Sequence, residues 1–221
     1  MTPRITLICH GTTRALRSAT FGGDDPLDDA GRSGAERLAV RLGTVDACWS
    51  SPALRARETA SALGLKPNID ERLRDCEYGR WTGLKFQQVL LREPRRLVSW
   101  IRKPATAPHG GESIPQVLER VAAWMTERGG DRGHTVAVTH SAVIRAAIVH
   151  VLQADLPSFW RIDILPLSQT DLRTNGRRWV LRTIIPASAR EALDDEMSAE
   201  SSVASSDEAA IEATSSDESI P

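Results

Sequence analysis

The chain holds three cysteines among 221 residues, Cys9, Cys48 and Cys76, and they are scattered. An odd, dispersed set excludes a disulfide framework, and none has the close pairing of zinc ligands. Buried free thiols are the simplest reading of all three. Long hydrophobic runs are missing too; the longest falls far short of the ~20 residues that cross a bilayer, so no membrane partner is expected. The opening residues, MTPRITLICHG, hold neither a long apolar segment nor a small-residue cleavage site, which excludes an export signal there. Together these absences point to a cytoplasmic protein. Aromatic residues make up 5% of the chain, and the arginines are dispersed rather than interleaved with them. That pattern fits no nucleic-acid module, and no nucleic-acid partner is expected.

What is present is enough for one α/β domain: 41% hydrophobic residues and 26% charged. The net charge of −1 hides an asymmetry. Residues 187–221 carry ten acidic residues against one arginine, so this segment is −9 and the rest is +8. The segment is rich in Ser, Ala, Glu and Asp and lacks aromatics, so it cannot bury enough surface to offset its ordering entropy. The expected organisation is therefore a folded domain over 1–186 and an acidic, Ser-rich disordered tail over 187–221. A positive folded part suits an anionic substrate; an arginine-rich composition alone would give the same sign.

Strand and helix patterns alternate along the domain. Residues 5–9, ITLIC, are strand-like, and DDPLDDAGRSGAERLAVRLG places Ala35, Leu38 and Leu42 at helical spacing with Gly43 as a stop. DACWSS predicts a second strand. SPALRARETASALG predicts a helix with Ser51 as N-cap and Pro52 at its first position. NIDERL predicts a brief edge strand, and residues 74–111 a connecting region with one or two helices. SIPQVLERVAAWMTERGG is an amphipathic helix, TVAVTH a buried strand, and SAVIRAAIVHVLQA the helix after it. FWRIDILPLSQTDLRTNGRRWVLRTI reads as strands turning at Asn175 and Gly176, and this hairpin could pair with a second copy as a homodimer. The expected fold is a three-layer α/β/α sandwich with a mainly parallel central sheet and helices on both faces.

Two strand ends carry chemistry. LIC is followed by His10, and AVT by His140. Ligands of open α/β sheets bind outside the carboxyl ends of the strands, so two histidines far apart in sequence are expected at one crevice.

The ordered fragments CHGTT, SSPALRARETA, LRDCEYGRWTG and VTHSAV, with DDPLDDAGRSGAERLA and HGGES between them, resemble the histidine phosphatase superfamily, also called phosphoglycerate mutase-like. The resemblance covers residues 4–184. It implies a metal-independent phosphomonoester hydrolase acting on a small phosphorylated substrate through a covalent phosphohistidine. His10 matches the nucleophile. Arg55 matches a phosphate-pocket arginine, whose fork holds two oxygens at once. His140 matches the second pocket histidine, a donor to the transferring group. Gly11 and Thr12 fall in the phosphate-binding turn. Asp75 sits at the position of the acid that protonates the leaving oxygen, with Glu77 as its rival.

The chain departs from that pattern. The family signature opens Arg-His-Gly, and Cys9 stands in place of the arginine; Asp75 replaces the usual Glu, and Leu16 a frequent asparagine. A charge-assisted hydrogen bond contributes ~1.5–3 kcal/mol, and one preorganised donor to transition-state charge is worth about 10²–10³ in rate. Three accounts of Cys9 compete. Another cation, Arg14, Arg17 or His109, reaches the pocket. Alternatively, the domain is a weak or inactive phosphatase that binds a phosphorylated ligand or protein. In the third, Cys9 is itself the nucleophile, but cysteine phosphatases need Arg at the sixth position after Cys, where this chain has Ala15. The region 74–111 is expected over the pocket, with Trp81, Trp100 and His109 as wall residues.

Overall fold

The computed structural model describes residues 3–187. The segment expected as an acidic tail lies, apart from Ala187, outside the described residues. β1 (Arg4–Cys9) leads through a one-turn helix α1 (Arg14–Arg17) to α2 (Asp29–Ala39), β2 (Ala47–Ser50), α3 (Leu54–Ala62) and the two-residue β3 (Asn68–Ile69). Two short helices, α4 (Phe86–Arg92) and α5 (Pro94–Arg102), fill the connecting region. The long α6 (Ile114–Arg128), β4 (His134–Thr139), α7 (Ser141–Leu152) and the hairpin β5 (Gln169–Thr174) and β6 (Trp179–Ile185) complete the domain.

The strands form one sheet in the order β3-β2-β4-β1-β5-β6. β1, β2, β3 and β4 pair in parallel, β5 runs antiparallel to both neighbours, and β6 therefore points with the others. This is the mainly parallel sheet that the alternating pattern predicts. Ile5, Leu7 and Cys9 face one side with Ala137 and Leu172, against Val117, Val121 and Trp124 of α6 and Val143, Ala147 and Ile148 of α7. Strand alternation turns Ile8, Val136 and Val138 to the opposite face, where α2 and α3 pack together and α3 lies on β2 and β4. All six residues of β4 are buried, as its charge-free sequence requires.

Two local expectations are corrected. α3 starts at Leu54 with Ala53 as its N-cap, three residues after Ser51. The Ser51 hydroxyl instead accepts from the Ala53 N–H at 3.2 Å and faces His140. The stretch expected as a strand from Phe159 forms a short 3₁₀ turn, Leu156–Arg161, with a proline in its first positions and Phe159 buried in the core. Proline removes a ladder donor, so the strand forms only beyond Pro166, from Gln169.

Candidate active site

The connection after β1 leaves towards β2, and the one after β4 leaves across β1 towards β5. The crevice between these two adjacent strand ends is the switch point where α/β sheets bind ligands. Cys9 and Thr139 are register partners. His10 and His140 therefore leave the sheet side by side, their ring centroids 5.1 Å apart. The His10 N–H donates to the Thr139 carbonyl at 2.9 Å, so the backbone ladder itself places the first histidine.

His10 Nδ1 lies 2.7 Å from the Gly11 carbonyl. A carbonyl only accepts, so Nδ1 carries the proton and Nε2 holds the free lone pair. Arg55, from the first turn of α3, joins the whole site. Its Nε donates to His10 Nε2 at 3.1 Å, and its Nη2 to Asp75 Oδ2 at 2.8 Å and His140 Nδ1 at 3.0 Å. Its Nη1 donates to the Gly23 carbonyl. Because a guanidinium only donates, His140 Nδ1 is an acceptor here, and its Nε2–H donates to Ser51 Oγ at 2.7 Å. Asp75 Oδ1 accepts from the Cys76 N–H at 2.9 Å, leaving Oδ2 for the site.

Burial, reinforced by the Arg55 charge, lowers the His10 pKa to about 4. Burial also pushes His140 well below its ordinary value, with Arg55 and His10 adding to it. Both rings are neutral at physiological pH. Burial raises the Asp75 carboxyl above its ordinary value, against the pull of Arg55. A neutral imidazole whose Nε2 lone pair is met by Arg55, and a carboxyl whose proton affinity burial raises, are the two groups that nucleophilic attack and leaving-group protonation need.

The turn after β1 is packed backbone against backbone. A Cβ at Gly11 would stand 2.8 Å from the Gly31 carbonyl oxygen, and one at Gly31 only 2.4 Å from that of Thr12. The Gly11 N–H donates to Thr59 Oγ1 at 3.0 Å, and Thr59 Oγ1 donates to the Arg55 carbonyl at 2.7 Å. Thr12 Oγ1 donates to Asp28 Oδ1 at 2.5 Å. The structure thus gives both expected phosphate-turn residues, Gly11 and Thr12, intramolecular partners, and it is Thr13 that lines the cavity.

The cavity over His10 measures about 110 Å³ and is walled by Thr13, Leu16, Thr20, Asp25, Arg55, Asp75, Tyr78 and Ser141. It adjoins a cleft of about 370 Å³ that shares Gly22, Arg55, Asp75 and Tyr78 and adds Asp24 and Glu77. A larger cleft, about 650 Å³, lies at the other end of the sheet, by the β5–β6 turn, with His150, Arg177 and Arg178 but no paired nucleophile and acid. Among the described residues no group of three or more His, Cys, Asp or Glu is placed to hold a metal ion.

Sequence reasoning missed Ser51, Thr59 and Tyr78. Ser51 reads as a helix cap and Thr59 as a helix-face residue, and nothing in their spacing marks the long-range contacts they make. Trp81, Trp100 and His109 are not cavity walls. They are almost wholly buried, packed in tilted and edge-on contacts with one another and with Phe21 and Tyr78. Glu77 is 62% exposed and pairs with Arg74, whereas the Asp75 side chain is 22% exposed and bonded to Arg55.

The three cations considered for the place left by Cys9 do not reach the cavity. Arg17 is exposed and pairs with Asp28 at 2.6 Å, Arg14 is exposed, and His109 Nδ1 accepts from the Gly111 N–H. Among the described residues lining the cavity, Arg55 is the one Arg or Lys. Cys9 is 3% exposed, and burial together with the Asp75 charge pushes its thiol up to about 12. It is a packing residue, and the thiolate a cysteine phosphatase needs does not form.

Comparison with known proteins agrees with this geometry. A protein of Mycobacterium tuberculosis described as bifunctional is 30% identical over 191 residues, 78% of this chain and 51% of its own length. The chain thus spans about half of that relative. Phosphoserine phosphatase 1 of Hydrogenobacter thermophilus is 29% identical over 167 residues, covering 72% of this chain and 79% of its own. The solved mycobacterial glucosyl-3-phosphoglycerate phosphatase in complex with VO3 superposes with a TM-score of 0.75 at 28% identity, covering 82% of this chain and 98% of that one. The family model of the histidine phosphatase superfamily (branch 1) matches residues 5–185, and the chain belongs to that family.

Proposed function

We propose that the chain is a phosphomonoester hydrolase that works through a phosphohistidine at His10. The observation that carries this is the lone pair of His10 Nε2, fixed by the Gly11 carbonyl and facing a cavity that also holds Arg55 and Asp75. The substrate phosphate takes over the Arg55 fork. His10 Nε2 attacks phosphorus as the ester P–O bond breaks, and the Asp75 proton passes to the departing oxygen, which leaves as an alcohol. A water then gives its proton to the Asp75 carboxylate while its oxygen attacks phosphorus. The P–N electron pair returns to His10, and inorganic phosphate leaves. His140 Nδ1, 3.0 Å from Arg55 Nη2 and 3.6 Å from Asp75 Oδ2, supports its reading as the second pocket histidine, holding Arg55 beside the nucleophile.

The single cation favours a second reading, a domain that binds phosphate esters without turnover. A shortfall of positive charge weakens binding as much as catalysis, however, and a binder has no use for a carboxyl of raised proton affinity beside a nucleophile. The relatives act on phosphoserine and on glucosyl-3-phosphoglycerate by name, which supports a small phosphorylated substrate. Asp25 in the cavity, with Asp24 and Glu77 in the adjoining cleft, disfavours leaving groups that carry further phosphates. No described helix is long and apolar enough to cross a membrane. Three buried free cysteines support a reducing, cytoplasmic setting. β6 is an edge strand, and a homodimer joined along it is the assembly we would test by sedimentation.

The test is a trapped intermediate. Wild type and His10→Ala are mixed with p-nitrophenyl phosphate at mildly acidic pH, quenched in alkali, and weighed intact. A phosphate adduct on wild type that His10→Ala lacks supports the reading. No adduct and no phosphate release from wild type across a phosphomonoester panel overturns it.

A further inference from the structure

The HGGES segment lines neither the His10 cavity nor the adjoining cleft, yet it holds a heavily bonded charged pair. Glu112 is 6% exposed. It meets Arg120 of α6 through two parallel contacts, Nε to Oε1 at 2.7 Å and Nη2 to Oε2 at 3.0 Å, and Arg74 Nη2 at 3.3 Å. A buried charge pair is costly unless its remaining donors and acceptors are also satisfied. Here they are satisfied by one segment of main chain. Arg120 Nη1 donates to the Arg72 carbonyl at 2.6 Å, and Nη2 to the Asp75 carbonyl at 3.2 Å. Glu112 Oε2 accepts from the Glu77 N–H at 3.4 Å, and the Glu112 N–H donates to the Glu77 carbonyl at 2.8 Å.

The grip is tight enough to demand glycine. A Cβ at Gly111 would lie 2.0 Å from the Glu77 carbonyl oxygen, and one at Gly79 would lie 2.4 Å from that of His109. The chain on both sides of Asp75 is thus held, while the Asp75 carboxyl, bonded to Arg55, lines the cavity.

We infer that Glu112 and Arg120 are positioning residues for the acid: their bidentate pair fixes the main chain of residues 72–77 so that Asp75 meets the leaving oxygen. Neither lines the cavity, and both act through the main chain that carries Asp75. The Arg120 charge also opposes the upward push that burial gives the Asp75 carboxyl. Glu112 neutralises that charge, so losing Glu112 moves the alkaline limb of the rate profile to lower pH. This inference rests on the phosphatase reading above.

The discriminating variable is the leaving group. p-Nitrophenolate departs without a proton, whereas an alkoxide requires one. The quantity to compare is kcat/KM, which runs only to loss of the leaving group and ignores breakdown of the phosphoenzyme. For Glu112→Gln, kcat/KM is expected to fall by roughly 10- to 100-fold on an alkyl phosphate, the scale of a displaced catalytic group. On p-nitrophenyl phosphate it is expected to fall by less than about threefold, because protonation contributes little there. Arg120→Lys keeps the charge, loses the fork, and carries the same test if Glu112→Gln does not fold. Equal losses on both substrates in a folded variant, with the adduct on wild-type His10 intact, overturn the positioning role and leave the phosphatase reading standing. Absence of that adduct overturns the phosphatase reading itself.

Discussion

Arg55 Nε donates to His10 Nε2 at 3.1 Å, so in the free protein the cation that is to hold phosphate occupies the lone pair that is to attack it. The nucleophile is released only when an anion draws the fork away. Arg55 also bonds Asp75, His140 and the Gly23 carbonyl, and a lysine, with one point charge, cannot hold that set. Arg55→Lys is expected to lower kcat/KM by about 10²–10³ on both alkyl and aryl phosphates, the loss typical of one preorganised donor. Steady-state kinetics on p-nitrophenyl phosphate reads it directly.

Cys9 gives a prediction of opposite sign. Its thiol is buried and neutral, so Cys9→Ser leaves kcat/KM within about threefold, whereas an essential thiolate would cost several orders of magnitude. Cys9→Arg brings a guanidinium next to His10 at the cost of burying it beside the core, and is expected to lower the Tm while raising kcat/KM at least about tenfold, one charge-assisted bond's worth. Kinetics of the two variants side by side settles whether this position limits the rate.

The pH profile follows from the site's own groups. His10 titrates at about 4 and must be neutral to attack. Rate on alkyl phosphates therefore rises with pH through that value. Asp75 must keep its proton, and its carboxyl is raised by burial, so the rate falls once pH passes the raised value. Asp75→Asn is expected to abolish this descending limb and nearly all alkyl phosphate turnover.

Stability carries a matching signature. The folded pKa of His10 lies below its unfolded value near 6.5, and so does that of His140. Between about 4 and 6.5 the unfolded chain binds protons that the fold excludes, so stability rises with pH across that window. Thermal melts from pH 7 down to 4.5 are expected to show a falling Tm, with a shallower fall in His140→Gln.

Gly31→Ala sets two effects against each other. In a helix interior Ala is favoured over Gly by ~1 kcal/mol. At Gly31 the added methyl would meet the Thr12 carbonyl oxygen at 2.4 Å and its nitrogen at 2.7 Å. Those are backbone atoms that cannot rotate away, and overpacking costs ~1–3 kcal/mol. Net destabilisation is expected, and the nucleophile turn must shift, so denaturant midpoint and kcat both fall.

Much of this site is legible in the sequence because it follows from strand ends. A histidine after an apolar run at residues 5–9 and another after residues 134–139 are placed by the sheet, and a regular sheet can be read from periodicity. Arg55 and Asp75 are legible through their motif alone. The partners that make them work are not. Ser51 on His140, the Gly23 carbonyl on Arg55 and Thr59 on the Gly11 N–H join residues 32 to 89 positions apart, with no local signal. The expected walls Trp81, Trp100 and His109 fail for a reason of size. Large rings contribute most when fully buried, and they pack with one another beneath the site rather than around it.

β1 and β4 lie at the middle of the sheet, with neighbours on both sides, and the His10 N–H itself closes onto Thr139. Amides in such central strands exchange with solvent only when the whole molecule opens. The His10 ring is therefore seated on strands expected to exchange slowest, while the surrounding wall comes from outside the sheet, Leu16 from the one-turn α1 and Thr20 and Asp25 from the stretch between α1 and α2. Heating or denaturant is therefore expected to loosen what the cavity recognises before what the cavity does.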